Sequence, residues 1–210
     1  MLLTKNRMKE EIIIGDQTVA FKDIFKNLSA LRKIMENMLN TGKTHQEVYE
    51  LLGQHPDFGM MQAYVVRNLA ATASSKTKAA SRSYQQLLMN LLLGSMTIML
   101  FFFVHNSMLG EGDRSFLISV GVATLYELFL WWTVKNFKGN HLYSLMIYAP
   151  FKIYFLTQIF QHPTYQWIVV VLMLIMVGIL ITAFILRKKA FPYLMYGGPK
   201  KGKDGHYIFE

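Results

Sequence analysis

The sequence predicts an all-α, polytopic membrane protein with four transmembrane helices and a small N-terminal cytoplasmic helical domain. Three observations carry that expectation. The 210 residues are 52% hydrophobic and only 17% charged, with a mean hydropathy of +0.24, where soluble domains carry nearer about a quarter charged residues. The apolar excess is confined to residues 86–186. The net charge of +9 divides into +4 for residues 1–85, +1 for 86–186 and +4 for 187–210, so basic residues flank the apolar part. That arrangement suits anionic lipid headgroups better than nucleic acid. There is no cysteine, which excludes disulfide frameworks, thiolate metal sites and iron–sulfur clusters.

The first domain is expected over residues 1–72. "EEIIIGDQTVAF" has β-branched residues on both sides of Gly15-Asp16, the pattern of a short hairpin within 10–21; an extended arm is the alternative. In "FKDIFKNLSALRKIMENMLNTG" the residues Phe21, Ile24, Phe25, Leu28, Leu31, Met35, Met38 and Leu39 recur at three- and four-residue spacing, and Gly42 is a natural stop. Thr44 followed by Glu47 is a capping box opening a second short helix, which Gly53 and Pro56 close. A third helix begins at Asp57 with Phe58, Met61, Val65, Asn68 and Leu69 on one face. About 60 residues bury only a modest core, so this bundle is expected to lean on the membrane, another copy or a partner. Residues 73–86 are a polar helix or linker. With no Gly or Pro to interrupt "AATASSKTKAASRSYQQ", continuation of the third helix into the first span is the favoured reading.

Four apolar runs follow, at about 87–108, 116–134, 141–160 and 167–186, each long enough for a ~30 Å hydrocarbon core. Lys76, Lys78 and Arg82 precede the first, Lys135 and Lys138 lie between the second and third, and Arg187, Lys188 and Lys189 follow the fourth. Alternating basic loops place both termini in the cytoplasm, in a bacterial cytoplasmic rather than an organelle membrane. Lys135, Lys138, Arg187, Lys188 and Lys189 are the candidate headgroup contacts. Residues 187–210 form a basic cytoplasmic tail whose Tyr193, Met195, Tyr196 and Tyr207 offer docking points.

Two charges interrupt the spans. Glu127 lies roughly 12 Å and Lys152 roughly 16 Å from the cytoplasmic ends of the second and third runs, at 1.5 Å per residue. A lone charge at such depth costs on the order of 3 kcal/mol, and a pair relieves much of it. Three roles are open to Glu127 and Lys152: a structural ion pair, an ion-coupled gate, or contacts to a partner subunit or aqueous cavity. Ala123 and Thr124 share the face of Glu127, and Pro150 leaves the Met146 carbonyl free. Asn90, Gly94 and Thr97 line one face of the first run, the spacing of a helix-packing surface, and Gly178 is a further contact point.

Other motifs fail. "NTGKT" lacks the earlier glycine of a phosphate loop and follows a helix rather than a strand. No histidine sits mid-span as a haem ligand, and neither an acid pair nor a nucleophile cluster marks a catalytic centre. No cofactor, metal site or catalytic residue is assigned. The expected role is a non-catalytic membrane subunit of a larger assembly, of secretion, conjugation or respiratory type. Its expected partners are the lipid bilayer and other subunits or further copies of itself, not nucleic acid. The alternative is an oligomeric channel or ion-coupled transporter working through Glu127 and Lys152.

Overall fold

The computed structural model describes residues 11–14, 17–20, 28–55, 57–109, 114–159, 166–194, 199–202 and 206–209. They form an all-α chain with two small antiparallel hairpins and fall into two units, residues 1–77 with 191–210, and residues 78–190.

In the first unit β1 (Glu11–Ile14) pairs with β2 (Gln17–Ala20), Ile12 opposite Val19; Gly15 and Asp16 lie outside the described residues. Helix α1 (Leu28–Asn40) buries Leu31, Ile34, Met35, Met38 and Leu39 along one stripe. Phe21, Ile24 and Phe25 lie outside the described residues. Gly42 (φ 94) ends α1: its N–H reaches the Leu39 carbonyl and the Lys43 N–H that of Met38, a closure that needs the left-handed conformation glycine takes freely. In α2 (His45–Gly53) both halves of the capping box form, with Thr44 Oγ1 accepting from the Glu47 N–H and Glu47 accepting from the Thr44 N–H. Such a cap is worth about 1 kcal/mol, and it holds the Glu47 carboxyl below its ordinary range. Helix α3 (Phe58–Ala70) follows Asp57 and supplies Val65, Val66, Leu69 and Ala70 to the core.

That core also takes Val48, Tyr49 and Leu52 from α2, and Phe209, 3% exposed, from the C-terminal segment. Phe209 follows the hairpin of β3 (Lys200–Lys201) and β4 (Tyr207–Ile208). The C-terminal stretch is therefore part of the helical unit rather than a separate tail. Arg187, Lys188 and Lys189 belong to the last turn of the final long helix rather than to that tail.

The expected continuous helix through 70–86 does not form. After Ala70 the chain leaves the helix, takes up a short α4 (Ser75–Ala80), breaks at Ser81 and restarts at Arg82. Hydroxyl groups account for the first break. Thr72 Oγ1 donates to the Asn68 carbonyl, and Ser74 Oγ accepts from the Thr77 N–H to cap α4. Asn40 Oδ1 also accepts from the Ser75 N–H. Side chains of this kind compete with the helical ladder for backbone partners, and here they outweigh the helix propensity of Ala and Lys.

The second unit is four long helices: α5 (Arg82–Leu109), α6 (Arg114–Lys135), α7 (Leu142–Ile159) and α8 (Gln166–Ala190). Neighbours run antiparallel. Gln85, near the start of α5, donates to the Val134 and Lys135 carbonyls at the end of α6; Lys189, at the end of α8, donates to the Tyr84 hydroxyl. Helix α5 packs on α6 and α8, and α8 on α7, whereas α6 and α7, although consecutive, meet mainly through side chains. They are joined through Phe137, which stands in the left-handed region (φ 52), and a single 3-10 turn at Gly139–His141. Gly178 faces α5, where a Cβ would stand in ordinary contact, 3.4 Å, with the Leu91 side chain.

Candidate functional site

Each helix of the second unit buries one seam. On α5 it runs Leu88, Leu92, Ser95, Met99, Phe102; on α6 Val120, Glu127, Leu130, Val134; on α7 Leu145, Ala149, Lys152, Leu156. The steps of three, four and seven are those of helices meeting along a packed stripe. Ser95, Glu127 and Lys152 are polar members of these three seams, as is Thr133 of α6, whose hydroxyl donates to the Leu130 carbonyl of its own helix.

Ser95, Glu127 and Lys152 form one closed cluster. Lys152 Nζ donates to Glu127 Oε1 at 2.6 Å and to Ser95 Oγ at 2.8 Å. The Ser95 hydroxyl lies 3.0 and 3.2 Å from the two carboxylate oxygens and donates to that group. Ser95, Glu127 and Lys152 are 0, 0 and 2% exposed. Charge is balanced within the cluster, and both carboxylate oxygens have a donor, the condition under which a buried pair is tolerated. Beside it the Lys152 ammonium lies 5.9 Å from the Tyr148 ring centre, and the Tyr148 hydroxyl lies 3.4 Å from the Ala123 carbonyl.

A groove of about 500 Å³ opens between α6 and α7. Its walls are Ile118, Ser119, Val122, Ala123 and Tyr126 from α6 and Tyr148, Phe151 and Phe155 from α7, with Lys152 also lining it. Ala123 thus lines the groove, while half-buried Thr124 bonds back to the Val120 carbonyl of its own helix.

Two expectations need correction. Pro150 is exposed and takes no part in packing. Asn90 and Thr97 are also exposed, Thr97 bonding the Leu93 carbonyl, and open space surrounds Gly94. The packed face of α5 is the one carrying Ser95, a single residue further along and so about 100° around the helix.

Four basic residues, Lys135, Lys138, Arg187 and Lys189, gather at one end of the bundle, each beside a ring. Lys135 lies 5.2 Å from Trp131, Lys138 4.1 Å from Trp132, Arg187 5.5 Å from Tyr143 and Lys189 4.4 Å from Tyr84. Lys188 is exposed. Among the described residues no three His, Cys, Asp or Glu side chains converge as metal ligands.

A second polar centre lies in the first unit. His45 Nε2 meets the Thr72 carbonyl at 2.9 Å, so this nitrogen carries the proton, and the ring lies 4.9 Å from Tyr193 and 6.2 Å from Phe209. Of the expected docking residues, Tyr193 and Tyr207 pack against the core, while Met195 and Tyr196 lie outside the described residues. Burial lowers the His45 pKa from its ordinary 6.5, with the Thr72 carbonyl offsetting part of the effect. The folded unit therefore keeps His45 neutral while the unfolded chain takes up a proton more readily. The stability this confers is complete above the ordinary value and is lost as pH falls below 6.5 toward the lowered folded value. Hydrogen-exchange protection of α2 is expected to fall between pH 7.5 and 5.5, and a His45→Gln variant to flatten that dependence. Equal slopes in both proteins would remove His45 as the cause.

No protein family, curated protein or solved structure matches the chain. Fold and site define it as an all-α chain with a buried Ser–Glu–Lys cluster. Among the described residues two of its helices, Arg82–His105 and Gln166–Ala190, are long and apolar enough to cross a membrane, with mean hydropathies of 2.2 and 3.2.

Proposed function

We propose that the second unit is a four-span membrane bundle and the chain a non-catalytic membrane subunit of a larger assembly, with both ends on the cytoplasmic side and open to partner proteins. The observation that supports it most is the outer surface of the bundle. Only 33% of the most apolar stretch of α5 or of α8 is buried, whereas the core helix of a soluble protein is mostly enclosed. Helices α6 and α7 show the same outward character: Ile118, Val122, Leu125, Ile147, Phe151 and Tyr154 are exposed while Glu127 and Lys152 point inward. Apolar surface on all four helices, with the charges turned in, is the arrangement a bilayer selects and water penalises. The basic–aromatic pairs at one end match side chains that settle at a lipid–water interface. A transport path would need a polar route to the charge pair, and the groove beside it has apolar walls.

The absence of native cysteine makes single-cysteine mapping in intact cells the direct test. Cysteines placed at Ser75, Asn136 and Lys188 are expected to react with a membrane-impermeant reagent only after the cells are opened, and cysteines at Asp113 and Thr164 without opening. Labelling of Asp113→Cys and Asn136→Cys from the same side would refute the span between them. A native mass of one bare chain in mild detergent, with no other polypeptide, would count against the subunit role.

A further inference from the structure

We infer that the groove between α6 and α7 is a binding site for a neutral, membrane-soluble molecule that presents a carbonyl oxygen to Lys152, a quinone-type ring with an aliphatic tail being the chemistry it fits. The inference rests on the four-span reading, because in water a solvent molecule would meet the same polar group.

An ammonium carries three N–H donors. Glu127 Oε1 and Ser95 Oγ take two, and the third has no acceptor among the described residues. Lys152 is 2% exposed and is one of the residues lining the groove. A buried charged donor left without an acceptor is costly, and a ligand oxygen in the groove would complete it. Charge decides the kind of oxygen. Glu127 already neutralises Lys152, so a carboxylate would bring an uncompensated buried charge, whereas a carbonyl brings none.

The walls decide the rest. Tyr126, Tyr148, Phe151 and Phe155 surround the space with rings, which suit a flat π system in offset or edge contact. A volume of about 500 Å³ lies within the range of small-molecule sites, roughly 300–1,000 Å³, enough for a ring and part of a tail. The Tyr148 hydroxyl is engaged by the Ala123 carbonyl at 3.4 Å and by the Glu127 carboxylate, which leaves Lys152 as the donor to a ligand. Ester carbonyls of phospholipids lie at the bilayer surface, while Lys152 stands near mid-span, so a ring carbonyl dissolved in the hydrocarbon is the better source.

The test is equilibrium binding of labelled decylbenzoquinone to the full chain in phosphatidylcholine nanodiscs, corrected by empty discs. Saturable binding of one molecule per chain is expected. Decylbenzene, which lacks the acceptor, should compete on the order of tenfold less well, the worth of one charge-assisted hydrogen bond. Methyl laurate tests the ester source and should also compete poorly. Val122→Trp, which fills the groove from its exposed rim, should abolish binding while leaving the melting temperature in place. The Glu127→Gln, Lys152→Met double variant should weaken it on the order of tenfold. Equal competition by decylbenzene, preference for the ester, undiminished binding to folded Val122→Trp, or no saturable excess over empty discs would each overturn the inference. The cysteine map is read separately, so absent binding in a chain with the expected topology refutes the ligand and not the spans.

Discussion

Replacing Glu127 by Gln, or Lys152 by Met, is expected to destabilise the four-helix unit by about 3–5 kcal/mol, and replacing both to recover most of that loss. The asymmetry follows from the cluster. Each single change leaves one formal charge 0 or 2% exposed without its counter-ion, and an uncompensated buried charge costs about that much. The double change leaves Gln beside Ser95 and a methionine of similar length in the α7 seam, with no charge to solvate. Buried pairs exchanged for well-packed apolar residues are often neutral in effect. Thermal melts of the four proteins in nanodiscs give the coupling directly as a double-mutant cycle. Ser95→Ala should cost less, about 1–3 kcal/mol, because both ions keep each other. A Lys152→Met protein that melts with the wild type, or a double variant no better than the worse single, would show that the pair does not hold the helices.

Loss of the Phe209 ring is expected to have the next largest effect, and it concerns the other unit. Phe209 packs 5.6 Å from the Tyr49 ring and 5.4 Å from that of Tyr193, and its N–H donates to Gln46 Oε1. It joins the core built by α1, α2 and α3. Truncation of a buried Phe costs about 3–5 kcal/mol, a large share of what a core this small supplies. Phe209→Ala should speed tryptic cleavage at Lys200 and Lys201 and lower amide protection across α2, while Phe209→Leu should stay close to the wild type in both. Unchanged protection at Val48 and Leu52 in Phe209→Ala would mean that the helices stand without the C-terminal segment.

The parts legible in the sequence were those with a local cause. The stripe of α1, the reciprocal cap at Thr44 and Glu47 and the stop at Gly42 each depend on residues within one or two turns. The meeting of Glu127 with Lys152 was legible from their similar depth in consecutive apolar runs. Three features were hidden for a different reason. Helices apolar on all sides show no contrast between faces, so sequence marks Asn90, Gly94 and Thr97 as readily as the true seam. Only the step of Ser95 from Leu92 and Met99 carries that signal. The break at residues 71–74 turns on hydroxyl bonds to carbonyls and amides three or four residues away, a balance that propensity does not resolve. Phe209 sits at the end of a segment without periodicity, and its partner Gln46 is 163 positions earlier.

The short α6–α7 turn also bears on how the protein is made. On the four-span reading, α6 reaches the membrane during synthesis bearing an unpaired carboxylate, and its counter-ion is still 25 residues away. Neither α6 nor α7 is a comfortable passenger by itself, since each carries a charge costing on the order of 3 kcal/mol at the bilayer centre. With only residues 136–141 between them, the two helices leave the insertion machinery as one hairpin, the acid waiting for the base. Ser95 is already in place on α5 to receive both. On that reading a chain truncated before Lys152 is expected to leave α6 without its counter-ion and to be degraded faster than the full chain, which the half-lives of a truncation series would test.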